Sequence, residues 1–511
     1  MFFFHLHNHF FGSFSDSILE FDEAINSALS NGHKALAITD HGTLSAIYPF
    51  YFKCKEKNII PILGCEIYFS LAEPIKDNLS HLSVIAKNIE GLKNLVQLTS
   101  EAWTNYFLPP KYAVINWENL IRHKNGLIIL SACVGGPIGK NLKNGNPAEA
   151  EKWFKLLKSE FGSDFYPEVS GHKIAYQSEN NEFIKRMSEK YNCSPVATND
   201  CHYSDYKSSH IHDILIKTSE KYVSNFSYGA KCFYFKSNEE MFAMNFPQKN
   251  YDVCSEILGK ITLHNELESS IFNIVSNRKK TSLLKLPVAE PFKFNSIMAF
   301  ETVSRAYKVS EPKISKLNAI LKQYDGIEAA YEQNKTFRDY CSYYSININT
   351  MVKLNRIIKS YFPDYGKFVE LDEDLRKIIP LRRIYGELFA DITLETLKKF
   401  EIPILNETRQ DEIKTDFFSA VKLWFNGEYE RALQLFLRTK DLKRDALFFA
   451  GDCFYKTGNY EEAIDYFKKY ENSSLPSYHT AFFARTKKIT AVQKKFTNPK
   501  ATLTVQNFLM V

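Results

Sequence analysis

The chain has 511 residues, of which 44% are apolar and 24% charged, and its formal net charge is +6. This length allows two to four domains, and this composition is typical of folded globular proteins, which excludes fibrous and disordered classes. No apolar stretch reaches membrane-spanning length, and the opening Met-Phe-Phe-Phe lacks the basic region of a signal peptide. The nine cysteines include no Cys-x-x-Cys pair, which favours a reducing compartment. We therefore expect a cytoplasmic protein without a membrane partner.

Basic side chains are concentrated in the second half of the chain. Residues 1–250 hold 25 Lys and Arg against 26 Asp and Glu, whereas residues 251–511 hold 40 against 33. Because the excess is spread along predicted helices, solvated helix faces are favoured over a nucleic-acid surface.

The first 215 residues alternate short apolar runs with amphipathic stretches, which predicts strands separated by helices. Segments such as Ser17–Ser30 and Ala148–Phe161 are the predicted helices, with Asn31-Gly32 and Gly162 as stop signals. This alternation predicts a parallel α/β layout, for which a barrel is the natural closed form. The predicted strands are Phe2–His9, Lys34–Asp40, Ile59–Tyr68, His81–Ala86, Gly126–Cys133, Phe165–Val169 and Pro195–His202.

After residue 250 the pattern is helical with few strand signals, which predicts an all-α C-terminal half. The segment "FNGEYERALQLF" (425–436) recurs as "KTGNYEEAIDYF" (456–467), with Gly, Tyr, Ala and Phe at the same positions. These units resemble tetratricopeptide-type helical hairpins. The predicted organisation is a barrel at 1–250, a helical connection at 251–290, a helical region at 291–379, a repeat domain at 380–490 and a tail at 491–511.

Three histidines alternate along the first predicted strand. In an extended strand, His5, His7 and His9 share one face at intervals of about 7 Å. Imidazoles gathered in this way favour metal or phosphoryl chemistry.

Ligand-type side chains also stand at the ends of most other predicted strands. In a barrel these ends meet at one rim, so we expect the side chains to converge. A set of imidazoles and carboxylates with one thiolate suits zinc, manganese or iron better than calcium or magnesium. The residues concerned are His7, His9, Asp16, Asp40, His41, Glu66, His81, Cys133, Asp200 and His202.

Several motifs together resemble the polymerase and histidinol phosphatase (PHP) family, and in particular the PHP domain of bacterial DNA polymerase III alpha subunits. The motifs are "HLHNHFFGSFSD", "ALAITDHG", "IIPILGCEIYF", "HLSVIAKNIEGLKNLVQLTSEA", "GLIILSACVGG" and "PVATNDCHYSD", in family order. The resemblance covers about residues 1–250 and implies a PHP-type distorted (β/α)7 barrel.

The resemblance also implies nine metal ligands and up to three divalent ions, zinc, manganese or iron. One ion would be held by His7, His9, Glu66 and Asp200, a second by Glu66, His81 and Cys133, and a third by Asp16, His41 and His202. The residues expected to carry catalysis are His7, His9, Glu66, Asp200 and His202. His5 is expected to be a buried neighbour of the site, Asp40 to orient His41, and Lys111 to contact a substrate phosphate.

The implied function is that of a metal-dependent phosphoesterase using metal-activated water, on nucleic-acid 3′ ends or on small nucleotide or sugar phosphates. The alternative is a non-catalytic replication or repair scaffold, with structural metals and repeats that bind a protein partner. A polymerase is excluded, since residues 250–290 leave no room for a palm and Asp372 and Asp374 read as an acidic helix face. Residues 295–322 nevertheless resemble the thumb-side segment of alpha subunits.

Overall fold

The computed structural model describes residues 3–13, 16–70, 79–108, 112–218, 231–279, 281–293, 295–357, 359–384, 387–406, 412–440 and 444–472. These residues form two compact units. The described residues of the first lie within Met1–Asp213, Ser227–Glu290 and Lys367–Asn406, and those of the second within Ile214–Phe226, Pro291–Gly366 and Glu407–Val511. Among the helices described, none is both long and apolar enough to cross a bilayer.

Helices and strands alternate through the first 213 residues, as the sequence predicts. The helices are α1 (Phe21–Ser30), α2 (Ile47–Glu56), α3 (Ile89–Asn105), α4 (Trp117–Arg122), α5 (Pro137–Lys143), α6 (Pro147–Phe161) and α7 (Gln177–Tyr191). The strands are β1 (Ala35–Ile38), β2 (Ile60–Ser70), β3 (Ser80–Ala86), β4 (Phe107–Leu108), β5 (Tyr112–Asn116), β6 (Leu127–Leu130), β7 (Phe165–Tyr166), β8 (Glu168–Ser170) and β9 (Val196–Thr198). Helices α8 (Ser209–Thr218), α9 (Asn238–Phe242), α10 (Gln248–Gly259) and α11 (Leu263–Asn277) follow.

The central sheet of the first unit has the strand order β4-β5-β2-β3-β6-β7, with β1 paired to β2. Strands β1 and β6 are apolar and buried at every position, as expected of strands covered on both faces. Strands β8 and β9 pair separately, in parallel. These pairings confirm a mixed α/β fold, while the closed (β/α)7 barrel stays a prediction.

The expectation of a parallel layout is wrong at β3. Strand β3 runs antiparallel to both of its neighbours, β2 and β6. Only nine residues separate Ser70 from Ser80, and a parallel crossover needs a dozen or more. The chain therefore turns back instead of crossing over.

The opening segment is extended but is not a regular strand. The Cys201 carbonyl accepts from the His9 amide at 2.8 Å, and the Asn8 carbonyl accepts from the Thr39 amide at 3.0 Å. The side-chain amide of Asn8 also donates to the carbonyls of His5 and Ala37. A side chain thus replaces part of the backbone ladder, and the segment lies between β1 and the residues after β9.

The C-terminal half is mainly helical, but the all-α prediction is wrong for residues 284–293 and for the strands within residues 359–406. Within the described residues, a five-stranded sheet has the order β12-β13-β10-β11-β14. Its strands are β10 (Leu284–Lys293), β11 (Lys359–Leu371), β12 (Leu381–Ile384), β13 (Glu387–Ala390) and β14 (Leu405–Asn406). These strands do not show at the helical period. Buried residues such as Val369 and Leu371 alternate instead with polar neighbours, which is the period of a strand.

Residues 367–406 belong to the first unit. The sequence prediction instead placed a domain boundary within this segment, between residues 379 and 380. Helix α17 (Leu394–Lys399) follows β13. Leu381, Leu397 and Phe400 are buried in the same apolar cluster as β1 and β2. Burial of these side chains is what fixes the segment to the first unit.

The second unit is built from helices. They are α12 (Ser296–Ala306), α13 (Glu311–Leu321), α14 (Gly326–Gln333), α15 (Lys335–Tyr343), α16 (Ile348–Ile357), α18 (Glu412–Phe425), α19 (Tyr429–Thr439), α20 (Arg444–Lys456) and α21 (Tyr460–Asn472). The two sequence repeats form consecutive helix pairs, in which Phe436 and Phe467 are both buried. Their assignment as tetratricopeptide-type repeats stays a prediction.

Candidate metal centre

Four of the predicted ligands meet in the interior of the first unit. The Nε2 atoms of His7 and His9 lie 3.1 Å apart. Asp200 Oδ1 is 3.1 Å from His9 Nε2 and 3.5 Å from His7 Nε2. The two Glu66 oxygens are each 3.4 Å from one of these imidazoles. Side chains from three distant parts of the chain thus surround one point.

Backbone geometry places these side chains. Glu66 lies within β2, and its amide donates to the Asp40 carbonyl at 3.0 Å. Asp200 follows β9 and has a φ of 47°, a left-handed conformation that is uncommon for residues other than glycine. Such backbone strain is concentrated at functional sites.

Glu168, at the start of β8, orients His7, although the sequence analysis did not identify it. Its Oε2 accepts from His7 Nδ1 at 2.8 Å and from the Thr198 hydroxyl at 2.7 Å. Its Oε1 accepts from the Ala132 amide at 2.8 Å. With Nδ1 donating to Glu168, the nitrogen that a neutral His7 would offer to a cation is Nε2, which faces the other candidate ligands. A single acidic residue in a strand has no spacing pattern that could have revealed it.

Ser13 performs the same task for His9. Its Oγ accepts from His9 Nδ1 and from the His41 amide, both at 3.0 Å, and donates to Asp40 Oδ1 at 2.8 Å. Asp40 also accepts from the Phe10 amide at 2.6 Å. Through Ser13, Asp40 therefore acts on the His9 ring and on the His41 backbone, whereas we expected it to orient the His41 ring.

A second group lies beside the first. His41 Nε2 is 2.8 Å from Asp16 Oδ2, and His41 Nδ1 is 2.8 Å from Glu66 Oε2. His202 Nδ1 donates to the Asp200 carbonyl at 2.9 Å, and its Nε2 is 3.8 Å from Asp16 Oδ2. Glu66 therefore links the two groups.

His81 and Cys133 lie at the edge of the cluster. His81 Nδ1 is 3.5 Å from Glu66 Oε2. The His81 amide donates to the Gly135 carbonyl at 3.1 Å, and the Gly135 amide lies 3.5 Å from Cys133 Sγ. Burial raises the pKa of the Cys133 thiol well above its usual value, and the carboxylates of Asp200 and Glu66 raise it further. A cation would be needed to favour its thiolate.

The protonation states follow from burial and from neighbouring charges. Burial, and then the adjacent imidazoles, lower the pKa of His9 to about 3. Burial also acts to lower the pKa of His7 and His41, but carboxylates outweigh it and raise the His41 pKa to about 9. Despite burial, the surrounding imidazoles hold the pKa of Glu66 and Asp200 well below their usual values. The carboxylates are therefore ionised.

The donor set fits divalent cations. With both Nδ1 atoms donating elsewhere, His7 and His9 turn two lone pairs toward each other, an arrangement that a cation or a shared proton stabilises. Glu66 Oε1 and Asp200 Oδ1 are buried and have no hydrogen-bond partner among the described residues. Three groups in the described part of the chain have ligand atoms within 4.8 Å of one another: His7, His9 and Glu66; His9, His41 and His202; and His41, Glu66 and His81.

His5, the third histidine of the opening segment, lies apart from this cluster. The His5 side chain is fully buried, with Nε2 donating to the Lys236 carbonyl at 2.9 Å and its ring packed against Phe235. Lys111, the predicted phosphate contact, lies outside the described residues. Tyr68, which the sequence analysis passed over, stacks on His41 with ring centroids 5.9 Å apart.

Comparisons with known proteins agree with this geometry. Residues 5–172 match the family model of the PHP domain. A 232-residue stretch is 33% identical to the DNA polymerase III subunit alpha of Aquifex aeolicus and covers 43% of this chain and 20% of that protein. For the same subunit of Treponema pallidum, identity is 32% over 261 residues, covering 48% of this chain and 22% of the relative. The chain thus spans about a fifth of the length of these relatives.

Among solved structures, an amidohydrolase from Chromobacterium violaceum aligns with 39% of this chain and 87% of its own, at 13% identity. Its TM-score is 0.27, which is too low to establish a common fold. The family assignment therefore depends on the sequence matches and on the cluster of ligands. Residues 5–172 of this chain thus match the PHP domain, and about half of the chain is similar in sequence to DNA polymerase III alpha subunits.

Proposed function

We propose that this protein is a metal-dependent phosphoesterase that hydrolyses a phosphate ester with water. The observation that carries the proposal is the meeting of His7, His9, Glu66 and Asp200, with buried carboxylate oxygens that no described residue satisfies. Buried polar atoms of a purely structural core are normally hydrogen-bonded, whereas the nearest neighbours of these oxygens are imidazole nitrogens at 3.1–3.5 Å. The proposed scaffold is the distorted barrel, with the ligands at one rim.

We assign His7, His9, Glu66 and Asp200 to one ion. Glu66, with His81 and Cys133, would hold a second, and Asp16, His41 and His202 a third. This mixture of imidazole and carboxylate ligands favours zinc, manganese or iron. When bound, such ions lower the pKa of water and polarise a phosphoryl oxygen.

The chain's own residues prepare this chemistry. Glu168 and Ser13 each hold one imidazole nitrogen, so His7 and His9 direct their second nitrogens to the same point. Glu66, 1% exposed, contributes an ionised carboxylate that water cannot solvate. His202, with its Nδ1 donating to the Asp200 carbonyl, directs Nε2 toward Asp16. Rigid placement of this kind removes the reorganisation that catalysis would otherwise require.

The homology to polymerase subunits favours a nucleic-acid 3′ end as substrate, with small nucleotide or sugar phosphates as the second class. A protein partner at the helical repeats and a cytoplasmic location stay predictions.

The test uses the full chain, stripped with a chelator and reloaded with Mn²⁺, Zn²⁺ or Fe²⁺. Elemental analysis gives the stoichiometry, and phosphate release is measured from a simple aryl ester and from labelled oligonucleotides. We expect turnover with bound metal, none after chelation, and loss of turnover in His9→Ala. The matched control is His123→Ala, which removes a buried histidine that is paired with Glu101 and is not a predicted ligand.

Two outcomes would contradict the proposal in different ways. Protein that binds no divalent metal would refute the assignment of the ligands. Metal-replete protein that releases phosphate from neither substrate class would refute the enzymatic function and leave a structural metal cluster.

A further inference from the structure

In the loop that carries His41, the backbone of Gly42, the residue after His41, is hydrogen-bonded to strand β2 and to helix α3. The Gly42 amide donates to the Glu66 carbonyl at 2.8 Å, and the Gly42 carbonyl accepts from the Trp103 indole at 2.9 Å. Gly42 has a φ of 60°, and a Cβ at this position would lie 2.9 Å from the ring of Tyr68. The backbone next to His41 therefore has little room to shift.

The other side of this loop is held by a residue 350 positions further along the chain. Asp391 is 2% exposed, and its Oδ2 accepts from the Ser45 hydroxyl at 2.7 Å and from the Thr43 hydroxyl at 3.1 Å. The two hydroxyls lie 2.6 Å apart, and the Ser45 amide donates to Thr43 Oγ1 at 3.2 Å. One carboxylate thus closes the turn that begins two residues after His41.

Asp391 is itself fixed by its surroundings. It follows β13, which pairs with β12, and its amide donates to the Pro380 carbonyl at 2.7 Å. From β12, the Arg382 guanidinium donates to Ser45 Oγ at 3.0 Å and lies 5.5 Å above the Trp103 ring. Strand β12 and Asp391, which follows β13, therefore contact the loop after His41, and Arg382 of β12 also contacts Trp103 of helix α3.

We propose that Asp391 is a positioning residue for His41. It acts through Thr43 and Ser45, so that the imidazole stays between Asp16 and Glu66, at 2.8 Å from each. The inference rests on the proposed function, because His41 is assigned there to a metal ion. It also means that the metal centre of this chain depends on residues well beyond the part that matches the PHP domain.

Metal binding by the full chain tests this inference. Wild type and Asp391→Asn are compared for the affinity of each ion, by competition with a chelator, and for the visible absorption of bound Co²⁺. We expect one ion to bind about 10- to 100-fold more weakly, the usual cost of losing a residue that orients a ligand. The Co²⁺ spectrum should change for that ion alone.

Two further variants separate positioning from folding. Ser45→Ala removes one donor to Asp391 and leaves the carboxylate in place, so it should weaken the same ion even if Asp391→Asn does not fold. Asp372→Asn is the matched control, because Asp372 is also 2% exposed and accepts from the backbone of its own turn, at Leu375. This control should bind every ion as wild type does.

The outcomes are distinct. Variants of Asp391 and Ser45 that lose thermal stability yet bind all ions with wild-type affinity would overturn the inference and leave Asp391 a structural residue. Wild-type protein that binds no ion would overturn the proposed function together with the inference.

Discussion

Oε2 of Glu168 lies 2.8 Å from Nδ1 of His7, and this contact decides which nitrogen of the imidazole faces the other candidate ligands. Because the carboxylate accepts from Nδ1, the nitrogen that a neutral His7 would offer to a cation is Nε2, which points at Glu66 and Asp200. Carboxylates behind a histidine ligand fix its tautomer and raise its basicity. Glu168 is therefore as much a part of the candidate site as the proposed ligands are.

Glu168→Gln should weaken metal binding by about 10- to 100-fold, since the amide keeps the shape of the side chain but loses its charge. Competition titration with Zn²⁺ and Mn²⁺ measures the effect. The control is Glu256→Gln, in which the lost carboxylate accepts from the Tyr166 hydroxyl and orients no predicted ligand. Unchanged affinity in Glu168→Gln would show that His7 does not depend on this contact.

Glu66→Gln should weaken metal binding more than Glu168→Gln does, because both oxygens of Glu66 lie against imidazoles of the cluster. We expect kcat for phosphate release to fall about 10²- to 10⁴-fold, equivalent to several kcal/mol of lost stabilisation. Elemental analysis should show at least one ion fewer than in wild type. Full metal content with normal turnover would remove Glu66 from the assigned ligands.

The sequence was sufficient to identify the residue types that gather here. His7 and His9 alternate on an extended segment, and Glu66, Asp200 and His202 stand at or after strands, so their convergence follows from the α/β pattern. The pattern could not separate His5 from its neighbours, because the irregular pairing around Asn8 directs that ring toward the Lys236 carbonyl.

Other features depend on contacts that no local pattern encodes. Glu168 and Asp391 are single acidic residues, and Asp391 meets Ser45 across 346 positions of sequence. The reversal of β3 depends on the length of the connection before it, not on the character of the strand itself. Long-range packing decides such features, and periodicity reports only which face is buried.

The stability of the metal-free protein should fall at alkaline pH because of His41. Its carboxylate neighbours outweigh burial and raise its pKa from 6.5 to about 9. Protonation of His41 therefore stabilises the folded state. This contribution to the free energy of unfolding is fully present below pH 6.5 and is lost as the pH rises through 9. Thermal unfolding with chelator present, between pH 6 and pH 9.5, should show this loss in wild type.

His41→Gln serves as the comparison, because it removes the titrating group and should flatten this part of the profile. Metal-loaded protein should show the opposite trend, since cations compete with protons for the imidazole. A metal-free profile that is the same in both proteins would contradict the assigned charge on His41.

Glu301 should stabilise the second unit from within. It is 5% exposed, accepts from Asn318 at 2.7 Å and from the Tyr429 hydroxyl at 2.8 Å, and pairs with Arg305 and Lys456. Although burial acts to raise it, the pKa of Glu301 is lowered by Arg305 and Lys456 to about 2. The ionised Glu301 side chain therefore contributes about 3 kcal/mol to the free energy of unfolding above pH 4.5, and this contribution is lost as the pH falls toward 2.

Hydrogen exchange of peptides from α12 and α20 tests this role. Glu301→Gln should accelerate exchange in both helices at pH 7, and the difference from wild type should shrink between pH 5 and pH 3. The control is Glu328→Gln, at an exposed position of α14. Equal exchange in wild type and Glu301→Gln at pH 7 would show that the buried ion pairs contribute nothing net, as is known for some such networks.

The two helical repeats offer a matched pair of glycines. Gly427 and Gly458 occupy the same position in their repeats and have φ values of 72° and 86°. A Cβ at Gly427 would lie 2.8 Å from Ile297 Cγ2, whereas a Cβ at Gly458 would meet nothing within 4 Å. Gly458→Ala should therefore cost only the strain of a left-handed residue, about 1–2 kcal/mol, and Gly427→Ala should cost about 1–3 kcal/mol more through overpacking.

Urea unfolding of both variants measures the difference, and Ile297→Ala tests its cause. In the background of Gly427→Ala, the smaller side chain at position 297 should recover part of the loss, whereas beside Gly458→Ala it should only add its own cost. Equal losses in the two glycine variants, with no recovery, would mean that the close approach of Gly427 to α12 does not constrain the repeat. Because both glycines have a left-handed φ, we expect a difference between the two variants to come from what packs against each glycine.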